Sequence, residues 1–341
     1  MLDALLARGF LPDFVIRRGI RHLNHRRLKE ISAGNIELAQ AKTMQLIENL
    51  RSSQIAVLTE KANEQHYEIP AEFFALILGK HRKYSSCYYP TGKEDLDTAE
   101  LLMLEETAAM ARLGDGMRIL ELGCGWGSLS LFMAEKFPHA QITGVSNSAS
   151  QKIYIDSEAK RRKLRNLTIV TADINRFKPA GKFDRVVSVE MFEHMRNYDE
   201  LFARIHGWLK PKGKLFIHIF THRLFPYLFE DQGPDDWMSR YFFSGGIMPS
   251  NHLFAYFTQN FRLAEQRIFA GTHYHLTAEH WLRNFDRNAD QIRGILRSVY
   301  GESELTRWIN YWRIFFLAVS ELFRAKRGQE WNVCHYLYEK V

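Results

Sequence analysis

With 341 residues, 46% of them hydrophobic and 25% charged, the chain has the make-up of a globular protein of one large domain with additions, or of two domains. Its three cysteines, Cys87, Cys124 and Cys334, have no CxxC spacing, which argues against a disulfide framework and a zinc site and predicts a reducing, cytoplasmic setting. The net charge of +7 is mild for this length and lies partly in two runs, RRGIRHLNHRRLK (17–29) and KRRKLR (160–165).

The first residues, MLDALLARGFLPDFVIRRGIRHL, are amphipathic and basic. They lack the continuous apolar core and small-residue cleavage site of a signal peptide, and no run reaches transmembrane length. Residues 1–65 read as a helical segment, and 66–341 as the main domain. From 118 short β-branched runs alternate with helical intervals: RILEL (118–122), QITGV (141–145), LTIVT (167–171), RVVSV (185–189) and KLFIHIF (214–220). Such alternation predicts right-handed βαβ units and an α/β, doubly wound, mostly parallel sheet. After 220 it stops. The aromatic, Gly/Pro-punctuated stretch 221–260 reads as a substrate-covering insertion. FRLAEQRIFA (261–270) and WNVCHYLYEK (331–340) read as further strands, making seven, with helices at 278–298 and 304–324 between them.

ILELGCGWGSLSLF places Gly123, Gly125 and Gly127 between the first strand and a helix, where glycine lets the backbone turn tightly and approach a ligand. A dinucleotide site would want an acid about 20 positions on, at the end of the second strand. Val145-Ser146-Asn147 offers none. Further along, VEMFEHM (189–195) follows the fourth strand and brings Glu190, Glu193 and His194 to the edge where ligands of open α/β sheets bind.

The run E-L-G-C-G-W-G from Glu121 resembles the glycine motif of S-adenosylmethionine-dependent methyltransferases, and TADI holds Asp173 and Ile174 where that class contacts adenine. QHYEIPAEFFALILGKHRKYSSCYY (65–89) and FDRVVSVEMFEHMRNY (183–198) resemble the cyclopropane-fatty-acid synthase superfamily. Within it, HYEIP, KYSSCYY, GVSNSASQK, MFEHMRNY and EDQGPDDWMSRYFFSGGIMPS are most similar to the coclaurine N-methyltransferase branch, a match running from about residue 60 to the C-terminus. The resemblance implies a class I methyltransferase fold and S-adenosylmethionine as cofactor, with S-adenosylhomocysteine as its product. It implies methyl transfer to the nitrogen of a small, apolar or aromatic amine. Residue by residue, it assigns Tyr84, Ser85, Gly123, Gly125, Asn147, Gln151, Asp173 and Ile174 to the cofactor. Glu190, Glu193 and His194 would face the transferable methyl, helped by Tyr67 and Glu68. No metal is implied.

Two other readings compete. The first is cyclopropanation or methylation of acyl-chain double bonds, in which members of the superfamily use bound bicarbonate as base. Of its ligand positions Glu193 and His218 match, but Ser86 stands at the cysteine position, with Cys87 one place later, and Ala289 at the tyrosine position. The second is a non-catalytic methyltransferase-fold binding module, which the intact glycine loop and the Glu/His set disfavour. The expected partner is a small-molecule amine. Nucleic acid is not expected, because the basic runs lie away from the pocket and no RNA-binding module is recognisable. The basic N-terminus suits peripheral contact with an anionic membrane, and a homodimer is left open.

Overall fold

The structure, a computed structural model, describes residues 2–57, 69–231, 233, 236–257 and 259–341. Three helices lead the chain, α1 (Leu2–Arg8), α2 (Asp13–Ser32) and α3 (Ile36–Ser52). Asn35 caps α3, its Oδ1 accepting from the amides of Glu37 and Leu38 at 2.7 and 3.2 Å. On α2, Arg17 donates to Glu279, Arg21 to Glu321 and Arg27 to Asp236, so part of the basic run 17–29 is engaged inside the fold. Phe10 and Phe14 beside it remain exposed.

The sheet and its covering elements then follow in order. Helices α4 (Ala71–Ile77) and α5 (Leu96–Met110) precede β1 (Arg118–Leu122), α6 (Ser128–Lys136), β2 (Gln141–Ser146), α7 (Ala149–Arg161), β3 (Leu167–Thr171) and β4 (Phe183–Val189). Next come a 3-10 turn at Phe192–His194, α8 (Tyr198–Trp208) and β5 (Leu209–His222). The insertion holds a small hairpin, β6 (Tyr227–Leu228) and β7 (Ile247–Met248), around α9 (Trp237–Tyr241). Strand β8 (Phe261–Ala270), α10 (Thr272–Arg287), α11 (Ala289–Arg324) and β9 (Trp331–Lys340) complete the chain.

Seven strands pair in the order β3-β2-β1-β4-β5-β9-β8, with β9 alone antiparallel to its neighbours. Alternate side chains feed the two faces. Ile119, Val187, Phe216 and Leu337 pack with Leu129 and Met133 of α6, while Leu120, Val186, Ile217 and Tyr336 pack with Leu201, Phe202 and Ile205 of α8. A strand apolar on both faces is what a sheet covered on both sides demands. Hence the near-continuous apolar runs.

The helices after 270 depart from the pattern read in the sequence. Helix α10 already begins at Thr272, because polar THYHLT faces the protein: Thr277 Oγ1 accepts the Cys87 amide at 3.0 Å. The break falls at Asn288, whose Nδ2 donates to Leu76 O at 2.8 Å, and near 300 there is only a kink at Gly301, with φ of 76°. Among the described residues no helix is long and apolar enough to cross a membrane.

Candidate active site

Strand register decides which loops meet. Leu122 lies beside Val145 of β2 and Ser188 of β4, and Ser146 lies beside Thr171 of β3. The segments that follow these strands, 123–127, 147–151, 172–174 and 190–194, therefore gather at the carboxyl edge. The strand order reverses there, which is where open α/β sheets bind ligands. One cleft at this edge is lined by all eight residues expected to hold the cofactor, Tyr84, Ser85, Gly123, Gly125, Asn147, Gln151, Asp173 and Ile174. Tyr84 and Ser85 come from the α4–α5 loop. Tyr67 and Glu68 lie outside the described residues.

The three glycines of the loop all have positive φ but do different things. A Cβ on Gly123 would come within 2.7 Å of Met191, and one on Gly127 within 2.7 Å of Ile155. Those two allow close packing. A Cβ on Gly125 would meet no protein atom within 4 Å, so this position leaves space beside the cleft that it lines.

The cleft also carries buried donors without partners. Gln151 uses Oε1 to accept from Ser146 Oγ at 2.6 Å, but its Nε2, and Ser128 Oγ nearby, find no acceptor among the described residues. Buried polar groups are rarely left so. The ribose hydroxyls and carboxylate of S-adenosylmethionine supply such acceptors, and the donor set fits that molecule. Asp173 is oriented by Asn175, whose amide and Nδ2 donate to Oδ1 at 2.9 and 3.0 Å.

Glu190 leaves β4 with φ of 46°, a left-handed conformation costing about 1 kcal/mol for a residue with a Cβ. Its carboxylate is held from three sides. Oε1 accepts from the Ser86 amide at 2.9 Å and lies 3.3 Å from His218 Nε2, and Oε2 accepts from Tyr274 OH at 2.6 Å. Burial raises its pKa, opposed by the nearby Lys83 ammonium and the Tyr274 hydrogen bond. Lys83 is itself buried, which lowers its pKa, and its Nζ donates to Ser85 Oγ and to Ser86 O. Behind His218, its Nδ1 meets His335 Nε2 at 2.8 Å, and burial holds both imidazoles neutral, well below the usual histidine range. Ser86 and His218, two positions of the bicarbonate set, thus do converge. What they converge on is the carboxylate of Glu190. Ala289, at the tyrosine position of that set, begins α11 and lines neither cavity, whereas Tyr274 contributes the hydroxyl.

Glu193 is 1% exposed, and its Oε2 has no hydrogen-bond partner among the described residues. Burial first, and then the Glu190 charge, push its pKa well above the usual carboxyl range. It lines a second cavity with Tyr84, Glu190, His194, Tyr274 and Trp281, closed by Phe220, Phe229, Met238, Phe243 and Met248 and by Phe315, Val319, Leu322 and Phe323 of α11. Tyr84, Glu190 and His194 line both cavities, so these three mark where the two meet. The His194 ring packs on Phe243, centroids 4.9 Å apart.

Four of the side chains that line this cavity, Phe229, Met238, Phe243 and Met248, come from the segment 221–260. The contributions of β5, α10 and α11 escaped the reading of the sequence. YWRIFFLAVSELF carried the signal: Phe315, Val319, Leu322 and Phe323 recur on one helical face, but such a stripe reads equally as core. Lys83 and Tyr274 had no distinguishing signal.

A sheet of this order with a glycine loop and a donor-lined cleft at its switch point defines a class I S-adenosylmethionine-dependent methyltransferase. The family model of mycolic acid cyclopropane synthetases matches residues 57–333. The chain is 36% identical over 336 residues to (S)-coclaurine N-methyltransferase of Thalictrum flavum subsp. glaucum, covering 97% of this chain and 93% of that protein. To the cyclopropane-fatty-acyl-phospholipid synthase of Escherichia coli (strain K12) it is 29% identical over 287 residues, 84% of this chain and 69% of that one. The crystal structure of coclaurine N-methyltransferase bound to N-methylheliamine and SAH superposes with a TM-score of 0.96 at 36% identity, covering 99% of both chains. The chain belongs to the mycolic acid cyclopropane synthetase family, as one of its S-adenosylmethionine-dependent N-methyltransferases.

Proposed function

We propose that the enzyme methylates the nitrogen of a small amine with an apolar or aromatic body, seated in the aromatic cavity and reaching the cofactor cleft between Tyr84, Glu190 and His194. The observation that carries this reading is the shared lining of the two cavities by those three residues. The cofactor would be held by Tyr84, Ser85, Gly123, Gly125, Asn147, Gln151, Asp173 and Ile174, and when bound it supplies a methyl group on a positive sulfonium. Tyr67 and Glu68 join the set on the sequence resemblance.

The amine arrives largely as ammonium, which cannot attack. Glu193, with one carboxyl oxygen unpartnered in an aromatic enclosure, gives up its proton to solvent as the cation enters beside it, and the carboxylate then holds and orients the ammonium. A base must then take the proton. An aliphatic amine near pKa 10 and a histidine near 6.5 differ by about 3.5 units, about 5 kcal/mol. Burial among Phe220, Phe229, Phe243 and Phe323 lowers the amine's value by penalising the cation, bringing the transfer within reach of His194. The freed lone pair forms the N–C bond as the S–C bond breaks, a neutral thioether leaves, and the proton remains on His194. Glu190, already held by Ser86, His218 and Tyr274, supplies fixed negative charge beside this path.

Carbocation chemistry on acyl chains would need a small anion as base, and the Glu190 carboxylate already occupies the space between the Ser86 amide and His218. The sparse cysteines favour a cytoplasmic setting. The test incubates the enzyme with methyl-labelled cofactor and either an amine panel (benzylisoquinolines, phenethylamines, polyamines) or unsaturated phospholipid vesicles. Label is expected in amines. Label in acyl chains, with every amine inert, would overturn the reading.

A further inference from the structure

We propose that the outer face of α2, with Phe10 just before it, docks on an anionic phospholipid bilayer, whichever amine the enzyme methylates. Helix α2 has two unlike sides. Toward the protein, Arg17 pairs with Glu279 and Glu321, Arg21 with Glu321, and Arg27 with Asp236. The two acids of the helix are engaged as well, Asp13 by Arg313 and Glu30 by Arg26 and Arg27. Away from the protein, Phe14, Arg18, His22, His25 and Lys29 are all exposed and recur at helical spacing, so they share one face. Among the described residues Arg18 and Lys29 meet no carboxylate.

The apolar part of this face is equally unusual. Phe10 and Phe14 are 68% and 74% exposed, and among the described residues no other phenylalanine is left so open to water. Rings beside unopposed cations suit a bilayer of negative charge. The rings enter the boundary between headgroups and acyl chains while Arg18 and Lys29 stay with the phosphates. A second copy of this face would bring like charges together. Nucleic acid would satisfy the cations and leave the rings in water. Docking also sets the substrate side of the enzyme against a phase in which apolar amines concentrate, because α2 rests on α10, α11 and the insertion. Glu321, which holds Arg17 and Arg21, directly precedes Leu322 and Phe323 of the aromatic cavity.

The experiment sediments the full chain with phosphatidylcholine vesicles containing about one-third phosphatidylserine, and with pure phosphatidylcholine vesicles. Binding is expected to the first only, and to weaken as salt rises and screens the cations. Arg18→Ala/Lys29→Ala removes two charges and should lower the partition coefficient about 25-fold, roughly fivefold per cation. Phe10→Ser/Phe14→Ser keeps the charge and should lower it about tenfold or more. All four side chains are exposed, so both variants should unfold at the wild-type temperature. Absence of binding to the anionic vesicles overturns the proposal, as does undiminished binding by both variants. Tighter binding to duplex DNA that survives loss of the rings gives the face to nucleic acid instead, and lipid docking falls. A wild-type dimer that either variant dissociates gives it to a second copy, with the same result.

Discussion

His335 Nε2 lies 2.8 Å from Nδ1 of His218, whose Nε2 in turn lies 3.3 Å from the Glu190 carboxylate. Burial keeps both rings neutral, so each carries one N–H. If His218 donates to Glu190, its Nδ1 must accept, and His335 must donate from Nε2. That leaves His335 Nδ1 as a bare lone pair, and it is indeed a buried atom without a partner among the described residues. His335 thus fixes the tautomer of His218. Replacing His335 with Phe keeps the ring beside Phe216 and Phe269 and frees His218 to turn its N–H away from Glu190. We expect kcat to fall about tenfold, the scale of one hydrogen bond to a charged group, with cofactor affinity unchanged by calorimetry. An unaltered kcat would remove the relay from the mechanism.

That pair was beyond the reach of sequence. His218 and His335 are 117 residues apart and meet only through the register of two strands. The glycine loop was legible because three positive-φ positions admit few residues but glycine. Glu190, Glu193 and His194 were legible because the chemistry is contiguous in VEMFEHM. How their carboxylates divide the work was not. Glu190 is saturated by Ser86, His218 and Tyr274, which arrive from three other elements, whereas Glu193 keeps an oxygen free. The α11 wall escaped because Phe315, Val319 and Leu322 share a helix with Trp312 and Phe316, which are plain core.

Glu193 stands to cost stability. Its folded pKa is raised well above an unfolded value of about 4.3. Between those two values the folded chain binds more protons than the unfolded one, so stability falls as pH rises through that window. Gln has no proton to lose. Glu193→Gln should therefore raise Tm at pH 8 by about 2 °C or more and by less at pH 5, while lowering both turnover and amine affinity. Equal Tm for the two proteins at pH 8 would contradict the burial of an unpaired carboxyl.

The glycines should separate by what they do. Gly123→Ala drives a Cβ to 2.7 Å from Met191 and should destabilise the fold by about 1–3 kcal/mol. Gly125→Ala meets no protein atom within 4 Å but reduces the cleft and strains a φ of 50°, so it should retain most stability and lose affinity for S-adenosylmethionine. Paired calorimetric titration and thermal unfolding check both. Wild-type affinity in a folded Gly125→Ala protein would remove the loop from the binding site.

His194 is where proton transfer and methyl transfer meet. It lines both cavities, follows Glu193 directly in the chain, and packs against Phe243 of the insertion. Glu193 and His194 should then fail differently. Loss of the Glu193 carboxylate, which forms when the ammonium settles beside it, removes a force on the cation at every pH where the amine is protonated, so KM and kcat suffer together. Loss of the imidazole removes only the group that accepts the proton. His194→Ala should slow turnover at pH 7 by about 10²–10⁴-fold and change amine affinity little. As pH rises toward the amine's own pKa near 10, the free base becomes abundant in solution, and the enzyme no longer needs a base of its own. The deficit should shrink across that range, which reads out as a steeper rise of log kcat/KM with pH in the variant than in the wild type. His194→Gln, a polar residue with no comparable basicity, should behave like Ala. A His194→Ala profile parallel to the wild type from pH 7 to 9.5 would assign the proton to another group, Glu193 first among them.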